Sequence, residues 1–154
     1  MKNIIFYGVL LFFMVGCKTH QVTQLDNKTE AMIKGNWTIS AVIFSGSEYL
    51  KVTSFELADS ECFVGSTWKF VSNNNKGEVK LNANECPSFA SPITWFINKE
   101  GNFVMKILNN EKAKKVNEGY ILKVANLTEN SFELIDKINV AGQWKDLTYQ
   151  FVKN

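Results

Sequence analysis

The sequence predicts an all-β fold, an eight-stranded antiparallel up-and-down barrel with a short N-terminal helical turn. Apolar and polar residues alternate in eight segments, which is typical of half-buried strands. Aromatic residues make up 13% of the 154 residues, and there are only two prolines. Asparagine-rich polar segments separate the alternating ones. A closed barrel is favoured because it leaves no unpaired strand edge, and a β-sandwich is the alternative.

The alternation places the strands at residues 36–44, 66–72, 77–82, 92–98, 102–108, 116–125, 131–137 and 147–153. In the first strand, the expected apolar face consists of Trp37, Ile39, Ala41 and Ile43. A helical turn is expected at residues 30–34, so the barrel domain is assigned to residues 31–154. No internal repeat divides this region, and one domain of this length is expected.

The links between the predicted strands fall into two classes. Short links are expected at residues 73–76, 99–101 and 126–130, and longer ones at 45–65, 83–91, 109–115 and 138–146. In an up-and-down meander, alternate links lie at opposite ends. The long links therefore share one end, which predicts a cup with an open mouth at that end.

The N-terminal segment predicts export and lipid attachment. Lys2 precedes an apolar run over residues 4–15, a length typical of a secretory signal and too short for a spanning helix. The ending Met14-Val15-Gly16-Cys17 resembles a bacterial lipobox, whose cysteine becomes the lipid-modified first residue. Residues 1–16 are interpreted as a lipoprotein signal peptide and residues 17–30 as a lipid-anchored tether. The alternative is an ordinary signal peptide with an incidental cysteine.

This interpretation predicts a location and a disulfide. The expected location is the bacterial outer membrane, with the anchored domain facing the periplasm or the cell surface. Cys62 and Cys86 both lie in long links, and two cysteines in an oxidising compartment usually pair. Closing that loop contributes roughly 3.5 kcal/mol in the chain-entropy model.

Composition excludes several classes of function. The net charge of +2 and the absence of arginine argue against a nucleic-acid partner. A single histidine, His20, leaves no His-based catalytic or metal site. Asp59 and Glu61 are too few for calcium and lie in a loop, so no enzyme activity, metal or cofactor is expected.

Gly35-Asn36-Trp37 opens the first strand after a helical turn and resembles the G-x-W signature of lipocalins. The resemblance covers residues 31–153 and extends to lipocalin-like lipoproteins of Bacteroides-type bacteria. It implies that Trp37 packs at the closed base of the barrel. Lipocalins usually cover this tryptophan with an arginine after the last strand, and Lys153 could act instead. The usual T-D-Y-type motif is replaced here by residues 126–130.

The first functional hypothesis is a binding protein that holds a small apolar or amphipathic molecule in the barrel mouth. The candidate lining residues come from the apolar faces of the strands: Ile39, Ile43, Trp68, Phe70, Trp95, Met105, Tyr120 and Tyr149. The candidate rim residues are Phe63, Phe89 and Trp144. The alternative for these side chains is that they fill a small barrel as its core.

The second hypothesis is an interaction or inhibitor protein that acts through its loops and has a filled interior. The charged segment 111–115 is the candidate contact loop. An interior packed solid would favour this hypothesis over the first. In either case a monomer is expected.

Overall fold

Eight strands close into one antiparallel barrel in the computed structural model, which describes residues 22–47 and 50–154. The predicted all-β class and barrel architecture are confirmed. The predicted signal peptide, Cys17 and His20 lie outside the described residues. Among the helices in the described part of the chain, none is long and apolar enough to cross a membrane.

The elements in chain order are α1 (Val22–Ile33), β1 (Gly35–Phe44), β2 (Thr53–Ser54), β3 (Ala58–Asp59), a 3-10 turn (Ser60–Phe63), β4 (Thr67–Val71), β5 (Lys76–Lys80), β6 (Ala90–Ile97), β7 (Asn102–Ile107), β8 (Tyr120–Ala125), β9 (Ser131–Val140) and β10 (Gln143–Lys153). From β4 to β10, each strand pairs with the next one along the chain. β1 pairs with both β10 and β4 and thereby closes the barrel. β2 and β3 form a small separate hairpin in the first long link.

Trp37 lies at the closed base, as the resemblance implied. Its indole is fully buried, and Nε1 donates a hydrogen bond to the carbonyl of Ile33 at 2.7 Å. The ring meets the edge of Phe132 with centroids 4.7 Å apart. Lys153 Nζ lies 5.5 Å from the centroid of the Trp37 ring, so the predicted cation–π contact is confirmed.

The N-terminal helix is longer than predicted. α1 begins at Val22, whereas the sequence predicted a turn at residues 30–34 within a polar segment. The helix contains no glycine or proline to stop it, and its polar composition hides the period from sequence analysis. The Glu30 carboxylate accepts a hydrogen bond from the Ile97 N–H at 3.0 Å, which docks the helix beside the end of β6.

Ile43 was predicted to face the barrel interior, and this prediction is wrong because a β-bulge in β1 turns the side chain outward. Ile39 pairs with Phe151 and Ala41 with Gln150, so Ser40 is an extra residue on β1. One inserted residue exchanges the two faces of every position that follows. Val42 and Phe44 therefore pack against the core, and Ile43 is 50% exposed on the outer wall.

The predicted long link at residues 138–146 is also wrong. β9 and β10 continue to a two-residue turn, Ala141-Gly142, in which φ is +50° and +84°. Two positive φ angles are typical of the type I′ turn, which favours Asn-Gly. Ala-Gly is a weaker signal, so the pattern did not indicate a hairpin. The mouth is therefore surrounded by three long links and one projecting hairpin.

Candidate functional site

The long link between β1 and β4 folds over the mouth of the barrel. β2, β3 and the 3-10 turn belong to this link, and the turn carries Cys62. Cys62 is bonded to Cys86 in the link between β5 and β6, which confirms the predicted disulfide. The bond fixes the mouth link to the neighbouring β5–β6 link.

Phe55, on this link, places its ring inside the mouth. The side chain is only 6% exposed, and its ring stacks on Tyr149 with centroids 5.1 Å apart and an interplanar angle of 23°. Three further rings surround it edge-on, those of Phe63, Trp68 and Tyr120. The mouth therefore contains an aromatic site whose occupant comes from a loop rather than from the barrel wall.

The backbone that carries this ring has an unusual conformation. Phe55 and the following Glu56 have φ of +52° and +54°. Side chains other than glycine lose roughly 1–2 kcal/mol per residue in this left-handed region. Two adjacent residues in this state persist only where the surrounding contacts hold them.

Two tyrosine hydroxyls hold the link in place. Tyr120 Oη donates to the carbonyl of Phe55 at 2.8 Å. Tyr149 Oη donates to Ser54 Oγ at 2.7 Å, and both of these side chains are buried. These hydroxyls are also the polar groups that a bound molecule would meet if the link moved aside.

Asp136 is a carboxylate on the inward side of the mouth. Asp136 follows Phe132 and Leu134 on the inward face of β9, opposite Leu147. Burial raises the pKa of Asp136, and a hydrogen bond from the Lys137 backbone N–H opposes this rise.

Burial, with smaller contributions from the charges of Glu56, Glu118 and Asp136, raises the pKa of Tyr120 to about 12. Burial also raises the pKa of Tyr149 above its ordinary value, against the lowering effect of its hydrogen bond with Ser54. Both phenols are therefore neutral donors at physiological pH.

Below Phe55, the barrel interior is filled by aromatic rings in mutual contact. Phe132 stacks on Phe151 at 4.5 Å, and Trp95 stacks on Phe103 at 5.5 Å. The ring of Phe70 lies between these two pairs. Six of the predicted lining residues are buried: Ile39, Phe70, Trp95 and Met105 in this core, and Trp68 and Tyr149 against Phe55 at the mouth.

The structure separates the other predicted site residues. Tyr120 lies half-buried at the mouth, and Phe63 and Phe89 pack there against the core. Ile43 and Trp144 lie on the outside, and Trp144 is 67% exposed near the tip of the β9–β10 hairpin. Neither of these two side chains lines the interior.

Sequence reasoning missed Ser54, Phe55 and Asp136. The first two belong to an irregular link, where no alternation marks which side chains turn inward. Asp136 had a detectable signal, because it continues the alternation of Phe132 and Leu134 on the predicted strand 131–137.

The other charged candidates are surface groups. Glu111, Lys112, Lys114 and Lys115 are all exposed in the β7–β8 link. Asp59 accepts a hydrogen bond from the Glu61 N–H at 3.1 Å and thereby caps the 3-10 turn. Within the described residues, no group of three or more His, Cys, Asp or Glu side chains is placed to hold a metal ion.

Comparison with known proteins gives structural neighbours at low identity. No family model and no curated protein sequence matches the chain. The chain is similar to a bovine odorant-binding protein solved with a selenium-containing odorant, with 12% identity, 81% of this chain and 72% of that chain covered, and a TM-score of 0.46. It is also similar to lobster apocrustacyanin A1, with 12% identity, coverage of 90% and 71%, and a TM-score of 0.47. A third similar structure is a bovine odorant-binding protein complexed with its natural ligand, with 14% identity, 80% of this chain and 72% of that chain covered, and a TM-score of 0.44.

Proposed function

We propose that this chain is a lipocalin-like binding protein that holds a small apolar or amphipathic molecule in the barrel mouth, in the place of the Phe55 ring. The observation that carries the proposal is this ring itself. It fills an aromatic site, yet it belongs to a loop with two adjacent residues at positive φ. The interior below is filled, so the proposed site is confined to the mouth.

An exchange of Phe55 for a ligand is energetically balanced. A ligand ring stacked on Tyr149 and bordered by Phe63, Trp68 and Tyr120 would recover aromatic contacts worth about 0.5–1.5 kcal/mol per pair beyond area burial. Release of the link would also relax the positive φ angles of Phe55 and Glu56. These gains offset the loss of two hydrogen bonds that anchor the link.

The chemistry of the site defines the ligand class. The walls are mainly apolar, and the polar groups at hand include the hydroxyls of Tyr120 and Tyr149 and the carboxylate of Asp136. Since both phenols stay neutral, they would donate to a carbonyl, hydroxyl or ether oxygen at the end of an otherwise apolar molecule. A single aromatic or alicyclic ring with one such oxygen matches the space that Phe55 occupies.

We further propose that the chain is a lipoprotein of the Bacteroides type, acylated on Cys17 at the outer membrane. The support is the apolar run that ends at Val15-Gly16-Cys17. Cys17→Ser should release the protein from the membrane fraction of its host. Unchanged retention in the membrane would contradict the anchor and leave the ligand proposal unaffected.

The ligand proposal is tested with the neutral apolar dye N-phenyl-1-naphthylamine. Phe55→Ala empties the mouth while keeping the barrel core, so we expect it to bind the dye at least tenfold more tightly than the unaltered chain. Phe96→Ala removes the same ring from the outer wall, and Phe132→Ala empties space at the closed base. Neither control should gain dye binding.

Equal dye affinity in Phe55→Ala and the unaltered chain would contradict a ligand site at the mouth. Trp68 provides a second readout because its ring contacts Phe55. Its fluorescence should change on dye binding, whereas that of Trp37 at the base should not.

A second function, interaction with a protein through the rim, is favoured by two observations. The first is the filled barrel interior below the mouth, which this hypothesis expects. The second is that Trp144 is 67% exposed on a hairpin that projects beyond the barrel. Trp144→Ala should abolish capture of such a partner and leave dye binding unchanged. Loss of dye binding in this variant would assign Trp144 to the ligand site instead.

A further inference from the structure

An apolar row crosses the outer wall of the barrel on three neighbouring strands. Phe96 of β6 lies directly opposite Val104 of β7, which lies directly opposite Ile121 of β8. Phe96 and Ile121 are 45% and 62% exposed. Residues in direct register on one face lie about 5 Å apart, so the three side chains form one continuous strip.

The surroundings of this strip, which we name the β6–β8 strip, differ from those of other exposed apolar residues. Lys123 follows Ile121 on the same outward face of β8 and is exposed, as is Lys99 in the nearby β6–β7 turn. In the described residues, neither ammonium takes part in an ion pair. Val152, on the outer face of β10, lies between Thr38 and Ser131 and is therefore an isolated apolar residue in a polar wall.

The N-terminal helix leads to the same side of the molecule. α1 ends beneath Trp37, and Glu30 binds the backbone of Ile97, the residue next to Phe96. The eight helical steps from Val22 to Glu30 span about 12 Å. Five more residues to Cys17 reach at most about 17 Å. The chain length therefore allows Cys17 to lie at most about 30 Å from Glu30, the residue that binds the backbone of Ile97.

We propose that the β6–β8 strip rests on the lipid surface that holds the anchor. An apolar strip with adjacent lysines matches the boundary between acyl chains and anionic headgroups, where aromatic and aliphatic side chains insert and lysines meet phosphates. The short reach of the anchor keeps this wall close to the bilayer. The inference depends on acylation of Cys17, which is part of the proposed function.

The test uses the full chain, purified from bacterial membranes and reconstituted in phosphatidylcholine vesicles that contain phosphatidylglycerol. Ile121→Cys carries a bimane label, and Val152→Cys carries it in the matched control. We expect vesicles to reduce iodide quenching several-fold at residue 121 and to introduce quenching by nitroxide lipids there. The label at residue 152 should stay fully accessible to iodide. In the chain labelled at residue 121, the additional substitution Phe96→Ser should restore iodide quenching of the label in the presence of vesicles.

Three outcomes would overturn the inference. If the acylated chain floats with the vesicles but the label at residue 121 stays fully accessible to iodide, the inference about the strip is wrong and the lipid anchor is unaffected. A chain without the acyl mass overturns both the anchor and this inference, whereas the dye test of Phe55→Ala stays independent. A label at residue 121 that is shielded without vesicles, in a particle of twice the monomer mass, assigns the strip to a second copy of the chain.

Discussion

At the base of the barrel, Trp37 belongs to a strand and is enclosed by regular elements, whereas at the mouth Phe55 belongs to a loop. The base contacts of Trp37 come from β9, β10 and the end of α1. The link that carries Phe55 is anchored by the hydroxyls of Tyr120 on β8 and Tyr149 on β10 and by a disulfide farther along the link.

Because of this difference, the base and the mouth should contribute differently to stability and to binding. A ring enclosed by strands can leave only if the barrel opens, so the base should unfold with the whole domain. A ring on a link can leave while the strands stay paired, and local opening of this kind costs less than global unfolding. We therefore expect changes at the base to alter stability and changes at the mouth to alter binding as well.

The largest effect is expected at the base. Trp37→Ala should lower the free energy of unfolding by about 3–5 kcal/mol, because it leaves a cavity among Ile33, Phe132 and Lys153. Urea unfolding measures this loss. Trp144→Ala removes an exposed ring of the same type and should change stability by less than about 0.5 kcal/mol. Similar losses in the two variants would contradict the role assigned to the base.

Removal of the disulfide should have the next largest effect and act on the mouth. Cys62 and Cys86 are 24 residues apart, and loss of this closed loop costs about 3.5 kcal/mol in the chain-entropy model. The double variant Cys62→Ser with Cys86→Ser should also bind the dye more tightly, because the mouth link is less constrained. A fall in stability without any gain in dye binding would show that the link stays in place without the bond.

A smaller effect is expected at the tip of the mouth hairpin. Ala141 has a φ of +50°, and an added Cβ at Gly142 meets no neighbouring atom. Ala141→Asn should stabilise the chain by about 0.5–1 kcal/mol, because asparagine tolerates this conformation better than alanine. Gly142→Ala should destabilise it through backbone strain alone. Thermal unfolding of the pair measures both shifts, and the same sign in both variants would argue against the turn.

The smallest effect concerns pH. Because burial raises the pKa of Asp136, the folded chain binds more protons than the unfolded chain between the ordinary value of 3.8 and the raised one. Stability should therefore fall as pH rises through that window. Asp136→Asn should be slightly more stable than the unaltered chain at pH 7, and the difference should vanish below pH 3.8. A difference that persists in acid would have another cause.

Sequence reasoning located the base better than the mouth, for a physical reason. Trp37 and Lys153 lie in strands whose alternation fixes the direction of each side chain, and their contact was expected from the resemblance to lipocalins. Ser54 and Phe55 lie in a link where direction depends on tertiary hydrogen bonds to tyrosines that are far away in sequence. The inward direction predicted for Ile43 was wrong although this residue lies in a strand. One extra residue reverses the alternation that follows it, and the composition of the strand does not reveal that residue.

The extra residue Ser40 divides β1 into two segments with opposite side-chain alternation. Before Ser40, odd-numbered positions face the core, and after it even-numbered positions do. Deleting Ser40 would remove the bulge, because Ala41 would follow Ile39 directly, and Val42 and Phe44 would still face the core in one continuous alternation. The number of residues at this point therefore decides whether a single alternation describes the whole strand. Alignments of this strand should match its two halves separately.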